Sequence, residues 1–362
     1  MSTVLVISPE PWHAHTVSKH HYAQVLAQAG HEVIFHGPPE PDGKGLSLEE
    51  VPGLERLRVL RSPQLAPGLR FLPGPARRML ESRWLRRVEA IAESRIDTVW
   101  LFENSRFYDM RFAADRLKIY HQVDLNQDFH PMSAAATADV CFCTTDIIAE
   151  RLRSARPDVH KIHHGTAVLE EAGNTAGLDA FNVTGLHATY IGNLDMAYLD
   201  VEALAALVQA HPEVNFHFVG GYSEQTPLRL ACRAAANVKW WGQLPFTQMP
   251  AVIDRSDMLL VAYRQDKQRD QASPHKFMEY LLGGNVIVCS YTDEYKDKRH
   301  LVEMAEPDGR IEDVFAQVVQ DLPRYNSPDR QAERRAFALD HSYEKQLGRI
   351  ADIVRRSAGC DI

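Results

Sequence analysis

The sequence predicts an α/β protein in which two doubly wound, Rossmann-like units follow one another along the chain. Three observations carry this. Short apolar runs alternate with helical patterns from residue 4 to about 164, the alternation stops over 166–185, and it then restarts and continues to about 290. A chain of 362 residues is also long enough for two domains of ordinary size. The expected organisation is a first domain at 1–165, a linker at 166–185, a second domain at 186–340 and a closing helix at 341–362.

Val4-Leu5-Val6-Ile7 is a short β run, followed by a polar loop from Ser8 to His15. Val17, Tyr22, Val25, Leu26 and Ala29 then recur at helical spacing, and Gly30 stands where a helix favours a left-handed C-terminal residue. Val33-Ile34-Phe35 is the next strand, so the chain opens β-α-β, which calls for a parallel sheet with helices on its faces. The pattern recurs at Thr98 to Phe102, Leu117 to His121, Val140 to Cys143 and Val159 to His163. In the second half the strands fall at His187 to Ile191, Asn215 to Val219, Val238 to Trp241, Met258 to Ala262 and Val286 to Cys289. Helical patterns at 199–210, 227–236, 247–255 and 274–283 separate them, and the charged last stretch reads as an outer helical cap. Two such units create a cleft between the carboxyl ends of their strands, where ligands of open α/β sheets bind.

Composition removes several classes of function. Forty Lys+Arg against 48 Asp+Glu give a net charge of −8, which argues against nucleic acid as the partner, since phosphate neutralisation needs a basic face. The charge-free apolar stretch from Tyr280 to Tyr291 is far short of the ~20 residues of a membrane span. The N-terminus lacks a basic segment ahead of its apolar run, so no signal peptide is expected. Cysteines 141, 143, 232, 289 and 360 form no C-x-x-C pair and read as reduced cytosolic thiols, not as a disulfide framework or a zinc site.

The segment Ser273-Pro274-His275-Lys276-Phe277-Met278-Glu279-Tyr280-Leu281-Leu282-Gly283-Gly284 is the most specific. Ser273 suits an N-cap and Pro274 the first helical position, and Gly283-Gly284 ends the helix just before a buried strand. Its N-terminus would then face the cleft with unsatisfied N–H groups, a ready place for phosphate. Lys276 in the first turn adds a full charge, and Glu279 could accept from ribose hydroxyls.

This segment resembles the donor-binding motif of GT-B nucleotide-sugar glycosyltransferases. So do Tyr190-Ile191-Gly192-Asn193-Leu194, Phe218-Val219-Gly220, Val238-Lys239-Trp240-Trp241-Gly242-Gln243-Leu244-Pro245 and Leu260-Val261-Ala262-Tyr263, in order and at matching spacing. The resemblance implies a GT-B fold with the two sheets facing across the cleft, and no cofactor. It also implies a nucleotide-sugar donor, preferably uridine-based, whose diphosphate meets Lys276 and whose ribose meets Glu279. Asn193, Leu194, Gln243, Tyr263, Ser273 and His275 would surround the rest of the donor. Retaining family 4 members carry two glutamates eight positions apart, whereas Gln271 occupies the first position here. The likeness is closer to the inverting glucuronosyltransferase of xanthan assembly, in which Ile119-Tyr120-His121-Gln122-Val123-Asp124 resembles the strand that ends at the catalytic aspartate. Trp12 and Glu103 then fall on the acceptor side, and the acceptor would be a glycan or a lipid-linked sugar in surface polysaccharide assembly.

Inverting transfer needs a base for the acceptor hydroxyl and positive groups for the departing diphosphate. No D-x-D is present to hold a metal, so Lys276 and the helix end must stabilise the leaving group. Asp124 is the preferred base, with His13 or His15 in the first loop as alternatives; Asp124 could instead cap a turn with Asn126 and Asp128. The histidines 13, 15, 20 and 21 have no ligating carboxylate or cysteine at matching spacing and predict no metal site. Arg70, Arg77, Arg78, Arg83, Arg86 and Arg87, with Leu69, Phe71, Leu72, Leu80, Trp84 and Leu85, read either as a basic amphipathic helix lying on the anionic inner membrane or as a solvated face. An epimerase of the same fold and a non-catalytic sugar-nucleotide-binding protein are the competing functions. No G-x-G-x-x-G follows the first strand, which disfavours a dinucleotide oxidoreductase.

Overall fold

The computed structural model describes residues 1–13, 16–40, 45–65, 68–125, 129–167, 175–265 and 275–362. They form two compact units, 1–165 together with 343–362, and 166–342. His15, Gln271, Ser273 and Pro274 lie outside the described residues.

In the first unit the strands are β1 (Thr3–Ile7), β2 (Glu32–His36), β3 (Ser47–Val51), β4 (Leu54–Arg61), β5 (Thr98–Leu101), β6 (Leu117–Gln122), β7 (Val140–Cys143) and β8 (Val159–Lys161). They join in the order β3-β4-β2-β1-β5-β6-β7-β8, parallel throughout except for the antiparallel β3–β4 pair. The central strands are uninterrupted apolar runs because helices cover both faces, as a parallel sheet requires. The hairpin β3–β4 has no counterpart in the sequence reading. Its residues alternate Glu and Arg with Leu and Val, and as an edge pair it buries little beyond Leu57, Val59 and Leu60.

The chain returns to this unit at its end. Helix Tyr343–Ala358 packs on helix Ser18–Gln28, with Tyr343 stacked on His21 at 4.5 Å and Gln346 donating to the His163 carbonyl at 2.8 Å.

The second unit holds β9 (Leu186–Ile191), β10 (Val214–Val219), β11 (Val238–Gly242), β12 (Met258–Val261), β13 (Val286–Cys289) and β14 (Glu303–Met304). All are parallel, in the order β11-β10-β9-β12-β13-β14. Before β9, Phe181 stacks on His217 at 3.9 Å. A line of hydrogen bonds crosses the sheet face here. Trp241 Nε1–H donates to His217 Nδ1 at 3.1 Å, His217 Nε2 meets His187 Nδ1 at 2.9 Å, and His187 Nε2 meets the Val183 carbonyl at 3.0 Å. A carbonyl and an indole N–H leave one consistent assignment, with both imidazoles protonated on Nε2. Burial holds His217 neutral, with its pKa lowered to about 3.

The arginine-rich helix spans Gly74–Ala92 and buries Arg77, Glu81, Trp84, Leu85, Val88 and Ala92. Arg77 is no surface charge. It lies 3.3 Å from the buried Glu81 and 3.9 Å over the Tyr108 ring, and Arg78 bonds Asp109 at 3.0 Å. Arg83, Arg86 and Arg87 are the exposed ones among the helix's arginines. No described helix is long and apolar enough to cross a membrane. The five cysteines are free thiols, all but Cys360 buried.

Candidate functional site

At the carboxyl ends of β9, β10 and β11 the chain turns through Gly192, Gly220 and Gly242. Gly192 and Gly220 have φ of 151° and 139°, backbone that residues with a Cβ rarely adopt. Their contacts are as demanding as their dihedrals. A Cβ on Gly220 would overlap the Gly192 carbonyl, and one on Gly192 would sit 2.7 Å from Lys276 Nζ. The N–H of Gly192 donates to Val219 O and that of Leu194 to Gly221 O, locking the two turns together.

Lys276 begins the helix Lys276–Gly283, whose C-cap Gly284 is left-handed. Its side chain does not extend into solvent. It is 8% exposed, with Nζ 3.3 Å from the Tyr190 hydroxyl, 4.3 Å from the centre of that ring and 5.3 Å from the Tyr263 ring. Burial lowers its pKa to about 7, partly offset by the charge of Glu279. The Tyr280 hydroxyl accepts from the Ile191 N–H at 2.9 Å. Among the described residues Lys276 makes no direct ion pair. The arrangement is a buried amine beside glycine turns, held by aromatic rings and, among the described residues, without a direct ion pair. Such a group is suited to meet the charge of a bound anion.

The other donor-side candidates divide. Glu279 is half-buried, 3.8 Å from the exposed His275 ring. Asn193 and Gln243 are exposed at the ends of β9 and β11. Leu194 corrects the expectation of a pocket-lining side chain: it is 1% exposed and packs in the core with Tyr190 and Phe218. Tyr263 is buried too, edge-on to Tyr198 at 5.2 Å.

In the first unit, Asp124 lies just past β6, with its side chain 56% exposed. Its backbone is positioned by a relay. Asn104 donates to the Tyr120 hydroxyl at 3.0 Å, that hydroxyl to Gln122 at 3.2 Å, and Gln122 to the Asp124 carbonyl at 3.0 Å. Asp124 Oδ2 is 3.7 Å from Lys19 Nζ, which also bonds Glu10 at 3.0 Å. Lys19 and Glu10 were missed by sequence reasoning. The signal was a lysine in the first turn of the helix after β1, the place that singled out Lys276 in the second unit.

His13 is well exposed and lies 3.8 Å from Glu49 on β3. Trp12 is half-buried, its ring packing against His20 at 5.4 Å and Phe35 at 5.0 Å. Glu103 also serves its own loop. Its carboxylate accepts from the Ser105 N–H and hydroxyl and from Arg106, whose guanidinium reaches the carbonyls of Gly37 and Ser8. Arg106 thereby ties together the carboxyl ends of β1, β2 and β5. No group of three His, Cys, Asp or Glu side chains that could hold a metal occurs among the described residues.

The two doubly wound units, each built on a mainly parallel sheet, share the GT-B fold of the structures that the chain resembles. Solved structures of that fold superpose over the whole chain. Sucrose-phosphate synthase from Thermosynechococcus elongatus is 14% identical, with 99% of this chain and 100% of that chain covered and a TM-score of 0.72. HepE from Anabaena, in complex with UDP-glucose, is 12% identical, with coverage of 98% and 100% and a TM-score of 0.70. A glycosyltransferase from Rickettsia africae is 10% identical, with coverage of 99% and 98% and a TM-score of 0.70. At these identities the likeness is one of fold. No family model matches the chain, and no curated protein is significantly similar in sequence.

Proposed function

We propose that the protein is a glycosyltransferase that moves a sugar from a nucleotide diphosphate sugar to a hydroxyl acceptor. The observation that carries this is Lys276, a buried amine without a direct ion pair among the described residues, beside Gly192 and Gly220. A protein of net charge −8 needs such a local positive point to hold a diphosphate. The UDP-glucose complex of HepE supports a donor of that kind.

In this reading Lys276 and the start of its helix hold the diphosphate, and Glu279 meets the ribose. Asn193, Gln243 and His275 border the donor, with Tyr190 and Tyr263 setting the lysine. Asp124 takes the proton of the acceptor hydroxyl as its oxygen bonds the anomeric carbon. The bond from that carbon to the diphosphate breaks, and the nucleotide leaves with the electron pair, inverting the configuration. Lys276 neutralises the charge that develops, so the step draws on no metal. The acceptor is a glycan or lipid-linked sugar of surface polysaccharide assembly, met where Arg83, Arg86 and Arg87 approach an anionic membrane. Liposome flotation of the wild type against a charge reversal of these three arginines tests that last part, and equal flotation would remove it.

A thermal-shift screen with UDP, GDP, dTDP, CDP and NAD, each with and without magnesium, tests the central claim. A ligand at 100-fold its Kd stabilises the fold by about 2.7 kcal/mol. A magnesium-independent shift with one diphosphate is expected, and a shift with NAD alone would refute the reading. One observation favours a binding-only alternative: Lys19 Nζ lies 3.7 Å from Asp124 Oδ2, a contact in which the carboxylate serves as a structural partner of the lysine. Donor binding without transfer to any hydroxyl would establish that alternative.

A further inference from the structure

Asp124 joins two properties that seldom go together. Its carboxylate stands in solvent, yet the backbone that carries it is fixed from the interior of the unit. The carbonyl of Val123, just before it, accepts from the hydroxyl of the buried Thr144 at 2.8 Å, and its own carbonyl accepts from Gln122, which has no exposed surface. Two successive peptides are thus held by buried side chains. A carbonyl in an exposed turn can be answered by water, so a residue that merely caps a turn calls for no such support.

The hydrogen bonds behind Gln122 run in one direction. The Asp124 carbonyl only accepts, so the Gln122 amide turns its nitrogen there and its Oε1 to the Tyr120 hydroxyl. That hydroxyl has one proton, which goes to Gln122, and its oxygen accepts from Asn104 Nδ2. Burial raises the Tyr120 pKa above the ordinary phenol value, so the proton stays in place at physiological pH. Asn104 is buried as well, and it follows Glu103, which Arg106 secures to the segments ending β1 and β2. Without the Tyr120 hydroxyl, Gln122 loses the donor that sets its amide, while a phenyl ring still fills the space.

We propose that Tyr120 and Gln122 are positioning residues for the transfer step, their hydrogen bonds to the Asp124 peptide aiming its carboxylate at the acceptor hydroxyl. The inference rests on the reading of Asp124 as the base and adds to it the device that gives the base its direction.

Tyr120→Phe in the full chain tests it, with transfer from UDP-glucose measured to a panel of methyl glycosides and to water. A misplacement of about 1 Å can cost about 100-fold in rate, so kcat should fall by about tenfold or more while the KM for UDP-glucose stays unchanged. In an Asp124→Asn background the same substitution should change the residual rate by less than about twofold, because groups that act through one another are not additive. Independently of turnover, the Leu125 amide shares its peptide with the Asp124 carbonyl. Its NMR order parameter should fall from about 0.85 in the wild type towards about 0.6 in Tyr120→Phe. If Tyr120→Phe fails to fold, Gln122→Met is read by the same measurements. An unchanged kcat, an undiminished effect in the Asp124→Asn background, or an equally rigid Leu125 amide would each overturn the proposal and leave the transferase reading standing. Asp124→Asn transferring as well as the wild type, or a wild type that binds UDP and transfers to no hydroxyl, would remove the base and this inference with it.

Discussion

Each unit places a lysine in the first turn of a helix at the carboxyl edge of its sheet, and the two lysines are treated in opposite ways. Lys19 is flanked by carboxylates, Glu10 at 3.0 Å and Asp124 at 3.7 Å, so its charge is answered within the protein. Lys276 is flanked by the rings of Tyr190 and Tyr263 and a single hydroxyl, and among the described residues it makes no direct ion pair, Glu279 acting on it only through its charge. Position in the fold therefore does not make a ligand site. What separates them among the described residues is a direct ion pair: Lys19 has one with a carboxylate, and Lys276, in the proposed function, has one only with the donor's diphosphate.

The largest expected effect falls on the first unit. Asp124→Asn should cut transfer by roughly 100- to 10,000-fold, the usual worth of a general base, while leaving UDP affinity unchanged. Radiolabelled transfer with calorimetry on the same preparation checks both, and a loss of UDP affinity would make Asp124 a binding residue.

Next comes the swap that challenges the comparison directly. Lys276→Ala should weaken UDP by roughly 10- to 100-fold and uridine hardly at all, since a charge-assisted contact is worth about 1.5–3 kcal/mol. Lys19→Ala should leave UDP binding intact and lower the urea midpoint, because it strands Glu10 and Asp124 beside each other. Similar UDP losses from both would erase the distinction.

Acidity sharpens it further. Lys276 has a pKa of about 7 in the free protein, far below the ordinary 10.5. Above that value the free lysine is neutral and must take up a proton to meet a diphosphate, so UDP affinity should fall by about tenfold per pH unit. Calorimetry in buffers of different ionisation enthalpy would reveal the uptake, and a flat profile from pH 7.5 to 9.5 would contradict it. The same depressed value means the unfolded lysine holds its proton between pH 7 and 10.5, so this residue's cost to folding shrinks as pH rises through that window. The smallest effect belongs to Tyr190→Phe, which removes the hydroxyl that receives Nζ. It should change UDP affinity by less than about fivefold yet move the alkaline fall to lower pH, a displacement that a purely packing role would not produce.

Much of the fold was legible because parallel strands buried on both faces announce themselves as apolar runs. The runs at Val4–Ile7, Val140–Cys143 and Val286–Cys289 lie in β1, β7 and β13. The hairpin β3–β4 was not, since an edge pair of alternating charges looks like a solvated loop. Nor does periodicity say which unit a terminal helix will join: Tyr343–Ala358 returns to the first because its apolar face fits helix Ser18–Gln28. At the site, the motif located Lys276 but not its seclusion, which depends on Tyr190, 86 residues away in sequence. Motif matching likewise could not tell that Leu194 turns into the core or that Glu103 is consumed by Arg106. Those outcomes depend on which neighbour satisfies a group first.

The run from Trp241 through His217 and His187 to Val183 has a direction. Every donor in it faces an acceptor, and the order cannot be reversed, because an indole begins it and a carbonyl ends it. A proton can be added to His217 only by setting its Nδ1 against the indole N–H that it now accepts. Acid therefore does more than add charge here: it opposes like to like at the seam joining the segment before β9 to the strands behind it. The second unit thus has an acid limit written into the polarity of one line of bonds, whatever the surface charge of the rest of the chain.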